Sequence, residues 1–292
     1  MKQIVCYGEV LWDMLPTGKK LGGAPLNVAL RMQAFGCRTK VISCIGKDVA
    51  GNDIAVQMKK YNATTDHLQV SQNYDTSEVL VTLNDSGSAS YEIKRPCAWD
   101  DIHLLEKDIT LVKSADAFIY GSLVARQLTS RDTLFALLKA SQFKVFDVNL
   151  RPPHYELKTL MDLMKQADFI KFNDDEIFEL SAAIGDKKMS LEDSISFFAQ
   201  ETQTPSICVT MGAHGAVLFQ DNKFVYNKGY HIEVIDTVGA GDSFLATLIY
   251  QLLNSEDAVT ALDNACAVGA IVASKEGANP IINNKEIQEI MK

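Results

Sequence analysis

The stretch Asp236-Thr237-Val238-Gly239-Ala240-Gly241-Asp242-Ser243 runs straight into Phe244-Leu245, Leu248-Ile249 and Leu252-Leu253, apolar pairs four residues apart. That spacing is the stripe of an amphipathic helix laid on a core, and it reaches about Leu253. The run His231 to Ile235 ahead of it reads as the end of a strand, so two glycines and an aspartate fall where strand passes into buried helix. The first amides of a helix lack partners within it, and the helix dipole adds partial positive charge there; together these suit a phosphate. Gly239 and Gly241 let the backbone come close to such a group, because no Cβ stands in the way. Asp242 would repel a phosphate unless it faces an incoming nucleophile or a metal. Amides that hold developing charge, beside a carboxylate that takes a hydroxyl's proton, are the parts of a phosphoryl-transfer site. The plainer reading is a glycine-rich turn with Asp at a helix start, which the dipole favours in any protein.

The whole chain bounds this reading. With 292 residues, it can bury a sizeable core as one large α/β domain or two small ones. The formal net charge of −9 argues against a general nucleic-acid binder, since no basic excess is there to neutralise a phosphate backbone. No apolar run is long enough to span a bilayer, and Met1 to Cys6 passes directly into a strand pattern instead of a signal peptide. A cytoplasmic protein without membrane contact is expected. The six cysteines are scattered with no C-x-x-C pair, which predicts reduced, mostly buried thiols rather than a zinc site or disulfides.

Strand and helix patterns then alternate. Strands are predicted at Lys2–Tyr7, Thr39–Ile45, Asp116–Tyr120, Lys144–Val148, Asp168–Phe172 and Ser206–Thr210, with helical stretches between them. One helix opens at Pro25, which places Asn27 in its first turn. Between Thr76 and Ala98 the period changes: Glu78–Leu83 and Ser90–Lys94 flank the turn Asn84-Asp85-Ser86-Gly87-Ser88, a hairpin signal outside the main sheet. A second hairpin runs from Ala216 to Tyr226. The expected architecture is a single α/β domain over 1–292, its mostly parallel central sheet covered by helices on both faces. A small β lid is expected at 76–98, with a contribution from about 11–21.

In open sheets ligands gather beyond the C-terminal strand ends, and the chemistry-bearing residues fall there. Asp13 follows the first strand; Asp147, Asn149 and Arg151 end another; Asn173 and Glu176 follow the next; Gly212 and Gly215 follow Thr210. Asp147-x-Asn149-x-Arg151 on an extended segment puts three polar side chains on one face, suited to a polyol or a phosphate. Asn173-x-x-Glu176 reads as a helix capping box.

The run from Asp236 to Asp242 also resembles the C-terminal signature of the ribokinase-like sugar kinases, the phosphofructokinase B family. A chance match to its six fixed positions is expected in roughly one chain in 10⁵. The resemblance implies that Asp242 is the catalytic base, that Gly239, Ala240 and Gly241 form an anion hole, and that Asp236 lies near the nucleotide and a monovalent-cation site. Gly22-Gly23…Asn27, with Gly8-Glu9 and Asp13, is similar to the family's N-terminal sugar-binding signature. Gly46-x-Asp48-x-x-Gly51 is similar to its second element, placed near the sugar pocket with a backbone role for Gly51.

The resemblance further implies sugar contacts from Asn149 and Arg151, and a magnesium link through water at Glu176 in the Asn173-x-x-Glu176 motif. It implies ATP contacts from Asn173, Thr210, Gly212, Gly215 and Gly241, with Asn264 on the adenine side. Gly277-Ala278 falls near the cation site, and Tyr91, Arg95 and Ala98 match a lid pattern in which Arg95 reaches the sugar. The expected activity is therefore an ATP-dependent sugar kinase with ATP, Mg²⁺ and K⁺, most similar to the fructokinases. The alternatives left open are 2-keto-3-deoxygluconate kinase and other sugar or nucleoside kinases of the family. The lid's free edge suggests a homodimer.

Two other classes are weighed against this. A dinucleotide-binding oxidoreductase fails because Gly239-x-Gly241 is followed by Phe244 where Gly or Ala belongs, and because it stands near the C-terminus. No Walker P-loop occurs. A sensing protein that kept the fold and lost the chemistry would not need Asp242.

Overall fold

Ile4 and Cys6 face one side of the first strand, Val5 and Tyr7 the other, and all four are buried. A strand apolar on both faces belongs in the middle of a covered parallel sheet. The computed structural model, which describes residues 1–15, 18–83, 89–185 and 189–292, places it there.

In chain order the strands are β1 (Gln3–Tyr7), β2 (Leu11–Leu15), β3 (Gly18–Gly22), β4 (Arg38–Gly46), β5 (Leu68–Ser71), β6 (Glu78–Leu83) and β7 (Ala89–Ile93). They continue as β8 (Ala117–Gly121), β9 (Lys144–Asp147), β10 (Phe169–Asn173), β11 (Ser206–Thr210), β12 (Ala216–Gln220) and β13 (Lys223–Asn227). The helices are α1 (Ala24–Ala34), α2 (Val49–Lys60), α3 (Glu106–Lys113), α4 (Leu128–Leu138) and α5 (Leu157–Met164). After them come α6 (Asp174–Gly185), α7 (Leu191–Thr202), α8 (Ala240–Leu253), α9 (Ala258–Ala273) and α10 (Asn284–Ile290).

The main sheet has the order β13-β12-β11-β10-β9-β8-β1-β4-β5 among the described residues. It is parallel from β5 to β11 and ends in the antiparallel pair β12 and β13. One face carries α1, α2, α8 and α9, through residues such as Leu26, Ile54, Leu248 and Leu262. The other carries α4 to α7, through Leu134, Leu160, Ile177 and Ile195. All six cysteines are buried and free. Among the described residues, no helix is long and apolar enough to cross a membrane.

A separate sheet has the order β3-β2-β6-β7. Its middle pair, β2 and β6, is parallel, so it joins two chain segments instead of being one hairpin. The turn Asn84–Ser88 lies outside the described residues. The root of this sheet is fixed by Asp48, whose carboxylate caps α2 through Gly51 N at 2.7 Å. The same carboxylate accepts from Thr76 N at 2.7 Å and Thr76 Oγ1 at 2.8 Å. Against the cost of burial, these donors hold Asp48 below the usual carboxylate range. The Gly46-x-Asp48-x-x-Gly51 element therefore acts as a clamp between α2 and the approach to β6.

Two readings are corrected here. His231–Ile235 is not a strand: β13 ends at Asn227, and the chain runs as a loop up to α8, with Ile235 N and Asp236 N both donating to Ala273 O. Asp147, Asn149 and Arg151 do not share one extended face. β9 ends at Asp147, and Asn149 turns into the left-handed region at φ 39.

Candidate active site

The C-terminal ends of β1, β8, β9, β10 and β11 open onto one cleft of about 970 Å³. Helix α8 points its N-terminus into it, with Gly239 as the left-handed residue before the first turn at φ 76. Ala240 N turns back to Thr237 O at 3.2 Å, and the first helical bond is Ser243 N to Gly239 O at 2.9 Å. The N–H groups of Gly241 and Asp242 thus have no hydrogen-bond partner among the described residues. They are the orphan donors that a helix start presents to an anion.

Asp242 is held at this point by α1. Asn27 Nδ2 donates to Asp242 Oδ2 at 2.8 Å, and Asn27 Oδ1 accepts from Asn279 Nδ2 at 2.8 Å. Arg31, one turn along α1, donates from Nε to Ser243 Oγ at 3.1 Å and from Nη2 to Pro280 O at 3.0 Å, fastening the two helix starts together. Burial, then the nearby Asp147 charge, push the Asp242 carboxyl up to about 6, against the pull of Asn27, Lys171 and Arg151. A carboxylate with such a value is a better proton acceptor than an exposed one and is still ionised at neutral pH.

One end of the cleft is acidic and polar. Glu9, Asp13, Asn27, Asn149 and Arg151 line it, together with apolar Leu11, Val79 and Ile93 from the small sheet. Asp13 sits on β2 of that sheet rather than in a loop after β1. Burial and Asp242 push Asp13 up to about 6, while Arg151 opposes them. Burial dominates at Glu9 as well, raising it to about 7. A Cβ on Gly22 would displace the Asp13 carboxylate from its present position; Gly23, at φ 112, passes over the Glu9 carbonyl.

The other end sets small residues on one wall against larger side chains, among them Tyr230, His231 and Ile232, on the facing one. Thr210, Gly212 and Gly215 line it, with the loop Lys228–Val238 on one side and Cys266, Gly269, Ala270 and Ala273 of α9 on the other. Sequence reasoning missed both walls. No sequence signal singles out the α9 wall, because Ala258, Ala261, Ala265 and Ala267 make the other faces of that helix just as rich in small residues.

Lys171 was also missed. It lies on β10, lines the cleft and donates to Asp147 Oδ1 at 2.9 Å. A Cβ placed on Gly241 would stand 3.6 Å from its Nζ. Although burial works against the charge, Asp147, Glu176 and Asp242 keep the ammonium protonated well above its ordinary range. A lysine inside the apolar strand Phe169-Ile170-Lys171-Phe172 is the sequence clue, since buried lysines are rare unless paired.

Four expected contacts fall elsewhere. Arg95 does not line the cleft; its Nη2 donates to Arg126 O at 2.9 Å beside a separate small pocket. Asn264 donates to Thr260 O at 2.8 Å within α9 and stays out of the cleft wall. Asn173 lines the cleft, but Glu176 is buried beneath it, its oxygens accepting from Leu150 N and Asn173 N, each at 2.8 Å. With Asn173 Oδ1 accepting from Glu176 N, this is the capping box. Asp236 staples two loops, accepting from Val238 N and Gly277 N, both at 3.0 Å, with Lys20 Nζ 3.6 Å away.

Comparison with known proteins gives a consistent result. The family model described as pfkB family carbohydrate kinase matches residues 1–285. Fructokinase-2 of Solanum habrochaites is 28% identical over 311 residues, covering 96% of this chain and 92% of its own. A double mutant of the Vibrio cholerae O395 fructokinase, solved with fructose, ADP and a potassium ion, matches with a TM-score of 0.85 at 24% identity, over 100% of this chain and 99% of that one. A sugar kinase of Pyrococcus horikoshii, described as uncharacterized, gives a TM-score of 0.84 at 25% identity over 100% of both chains.

Proposed function

Because this chain belongs to the pfkB family of carbohydrate kinases, we propose that it transfers the γ-phosphoryl group of ATP to a primary hydroxyl of fructose, with Asp242 as general base. The observation that carries this reading is the position of Asp242. It stands in the first turn of α8, beside amides with no partner among the described residues, and is tied by Asn27 to the acidic end of a cleft whose other end is glycine-rich.

In the proposed reaction the sugar lies at the acidic end, its hydroxyls donating to Asp13 and Glu9 and accepting from Asn149 and Arg151. The primary hydroxyl donates its proton to Asp242 as its oxygen bonds to the γ-phosphorus. The bond from that phosphorus to the β–γ bridging oxygen breaks, and ADP leaves with the electron pair. The N–H groups of Gly241 and Asp242 and the Lys171 ammonium face the charge that spreads over the transferring group. Asp242 then releases its proton to solvent. The adenine fits between the small side chains of α9 and the loop wall at Val234, while Thr210, Gly212 and Gly215 border the phosphates. The small sheet closes over the sugar through Leu11, Val79 and Ile93, excluding the water that would otherwise hydrolyse ATP.

The donor set also bears on the ions. Both oxygens of Glu176 accept from backbone amides, so Glu176 would act on a magnesium ion only through water, and the ion would supply charge neutralisation at the nucleotide phosphates. Asp236 has both oxygens on amides and Lys20 nearby, so its part in a K⁺ site would be to hold the 236–239 and 277–278 loops together. For the open edge of the small sheet, a second copy of the chain is the occupant we propose.

A coupled ADP-release assay across fructose, 2-keto-3-deoxygluconate, ribose and nucleosides tests the acceptor. Fructose should give the highest kcat/KM. A higher value for another acceptor would replace fructose in this reading, and no turnover with any of them would remove the reading altogether.

A further inference from the structure

Behind the small sheet lies a second pocket of about 70 Å³, and no residue lines both it and the cleft. Three arginines meet there: Arg95, two residues past β7; Arg126, between β8 and α4; and Arg131, on α4. His154 and the first turn of α5, including Thr159, complete the wall. Its size suits a small ion, not a nucleotide or a sugar ring.

Arg126 is built in rather than left on the surface. Its side chain is 1% exposed, and it grips Asp100 with Nε–Oδ1 at 2.9 Å and Nη2–Oδ2 at 2.8 Å. Its guanidinium also lies 3.9 Å from the centre of the Trp99 ring. After these contacts Nη1 remains buried without a hydrogen-bond partner among the described residues. Such a group carries a desolvation cost that a bound acceptor would relieve.

The other charges leave the pocket positive. Asp100 is consumed by Arg126. The remaining acid, Glu156, is solvent-exposed and only 4.0 Å from Arg131 at closest approach, a weak pairing. Arg95 gives one donor to Arg126 O. Helix α5 starts at Leu157 with no side-chain cap, so its first amides add partial positive charge. His154 reports the resulting field: burial, then Arg126 and Arg95, hold its imidazole below the ordinary range.

We propose that this pocket binds a single phosphate group, either free or as the monoester end of a small molecule. Arg131, Arg95 and the start of α5 surround the tetrahedral oxyanion, and Arg126 supplies the buried cation behind it. Because Arg95 follows directly on β7, the ligand bears on the root of the small sheet.

The test is calorimetric titration of inorganic phosphate into the full chain saturated with ADP, repeated for Arg131→Gln and Glu156→Gln. Both positions lie outside the cleft, and both variants should melt and turn over like the parent. Arg131→Gln should weaken phosphate binding by about tenfold, the loss of one charge-assisted contact, and Glu156→Gln should strengthen it. The His154 imidazole, followed by NMR, should titrate at higher pH once phosphate is bound. A phosphate held in the cleft would ignore both substitutions and leave His154 unchanged; that result, or no binding at millimolar phosphate, overturns the proposal. Hexose monophosphates used as probes separate the sources: tighter binding than phosphate marks a monoester site, and equal binding marks a site for the free ion.

Discussion

Asn27, in the first turn of α1, donates from Nδ2 to Oδ2 of Asp242, in the first turn of α8, at 2.8 Å across 215 positions of sequence. The contact ties the acidic end of the cleft to the start of α8, and it favours the charged form of the proposed base against burial and Asp147. Asn279 fixes the Asn27 amide from behind by donating to its Oδ1.

Removing that donor should shift the pH profile. Asp242 works unprotonated, so kcat/KM should fall as pH drops through about 6. Asn27→Ala takes away a hydrogen bond that favours the charged form, so its acid limb should move toward neutral pH by about one pH unit. Profiles of kcat/KM for parent and variant, measured with saturating ATP, check this; superimposable acid limbs would exclude the role given to Asn27.

Glu9 should leave a mark on stability. Its carboxyl is raised from 4.5 to about 7 in the folded chain, and its Oε2 is buried without a partner among the described residues. Across that window the folded state holds a proton that the unfolded state has released. Glu9 therefore makes stability decline as pH rises, by as much as about 3 kcal/mol, and the effect levels off above about pH 7. Glu9→Gln should match the parent near pH 4 and exceed it near pH 8 in urea denaturation. Equal stabilities at about pH 8 would mean that Glu9 is not destabilised by burial.

The glycines of the α8 start separate two effects. Gly239 is at φ 76, and a Cβ there would lie 2.6 Å from Ala278, so Gly239→Ala should cost at least about 1–3 kcal/mol from strain alone. A Cβ on Gly241 meets nothing closer than Lys171 Nζ at 3.6 Å. Gly241→Ala should therefore melt close to the parent while kcat drops, because the methyl group crowds the phosphate-facing amides. Thermal melts and turnover on the same preparations distinguish them.

The Asp48 clamp gives a prediction for the small sheet. Asp48→Ala removes the α2 cap and both contacts to Thr76, and should cost about 1–2 kcal/mol. Because Thr76 leads into β6, the KM for sugar should rise more than the KM for ATP. Equal rises would show that the clamp serves overall stability only.

Legibility in the sequence followed distance along the chain. The α8 stripe, the Pro25 helix start and the Asn173–Glu176 capping box are local patterns, and each appears in the fold where the residues place it. His231–Ile235 misled because its alternating apolar residues satisfy a strand pattern, although Val234 and Ile235 are 59% and 60% exposed in a loop. The alternation at Asp147–Arg151 failed for a different reason: one left-handed residue, Asn149, re-aims every side chain after it. Lys171, Asn279 and Arg126 gain their roles from partners 24 or more positions away, which no short window contains.

The most direct test is Asp242→Asn, assayed for turnover at saturating ATP and fructose and for binding of each ligand by calorimetry. Loss of a general base predicts a fall in kcat of about 10²–10⁴-fold, with both dissociation constants within a few-fold of the parent. Turnover at the parent rate would contradict the assignment of Asp242 as the group that takes the sugar's proton.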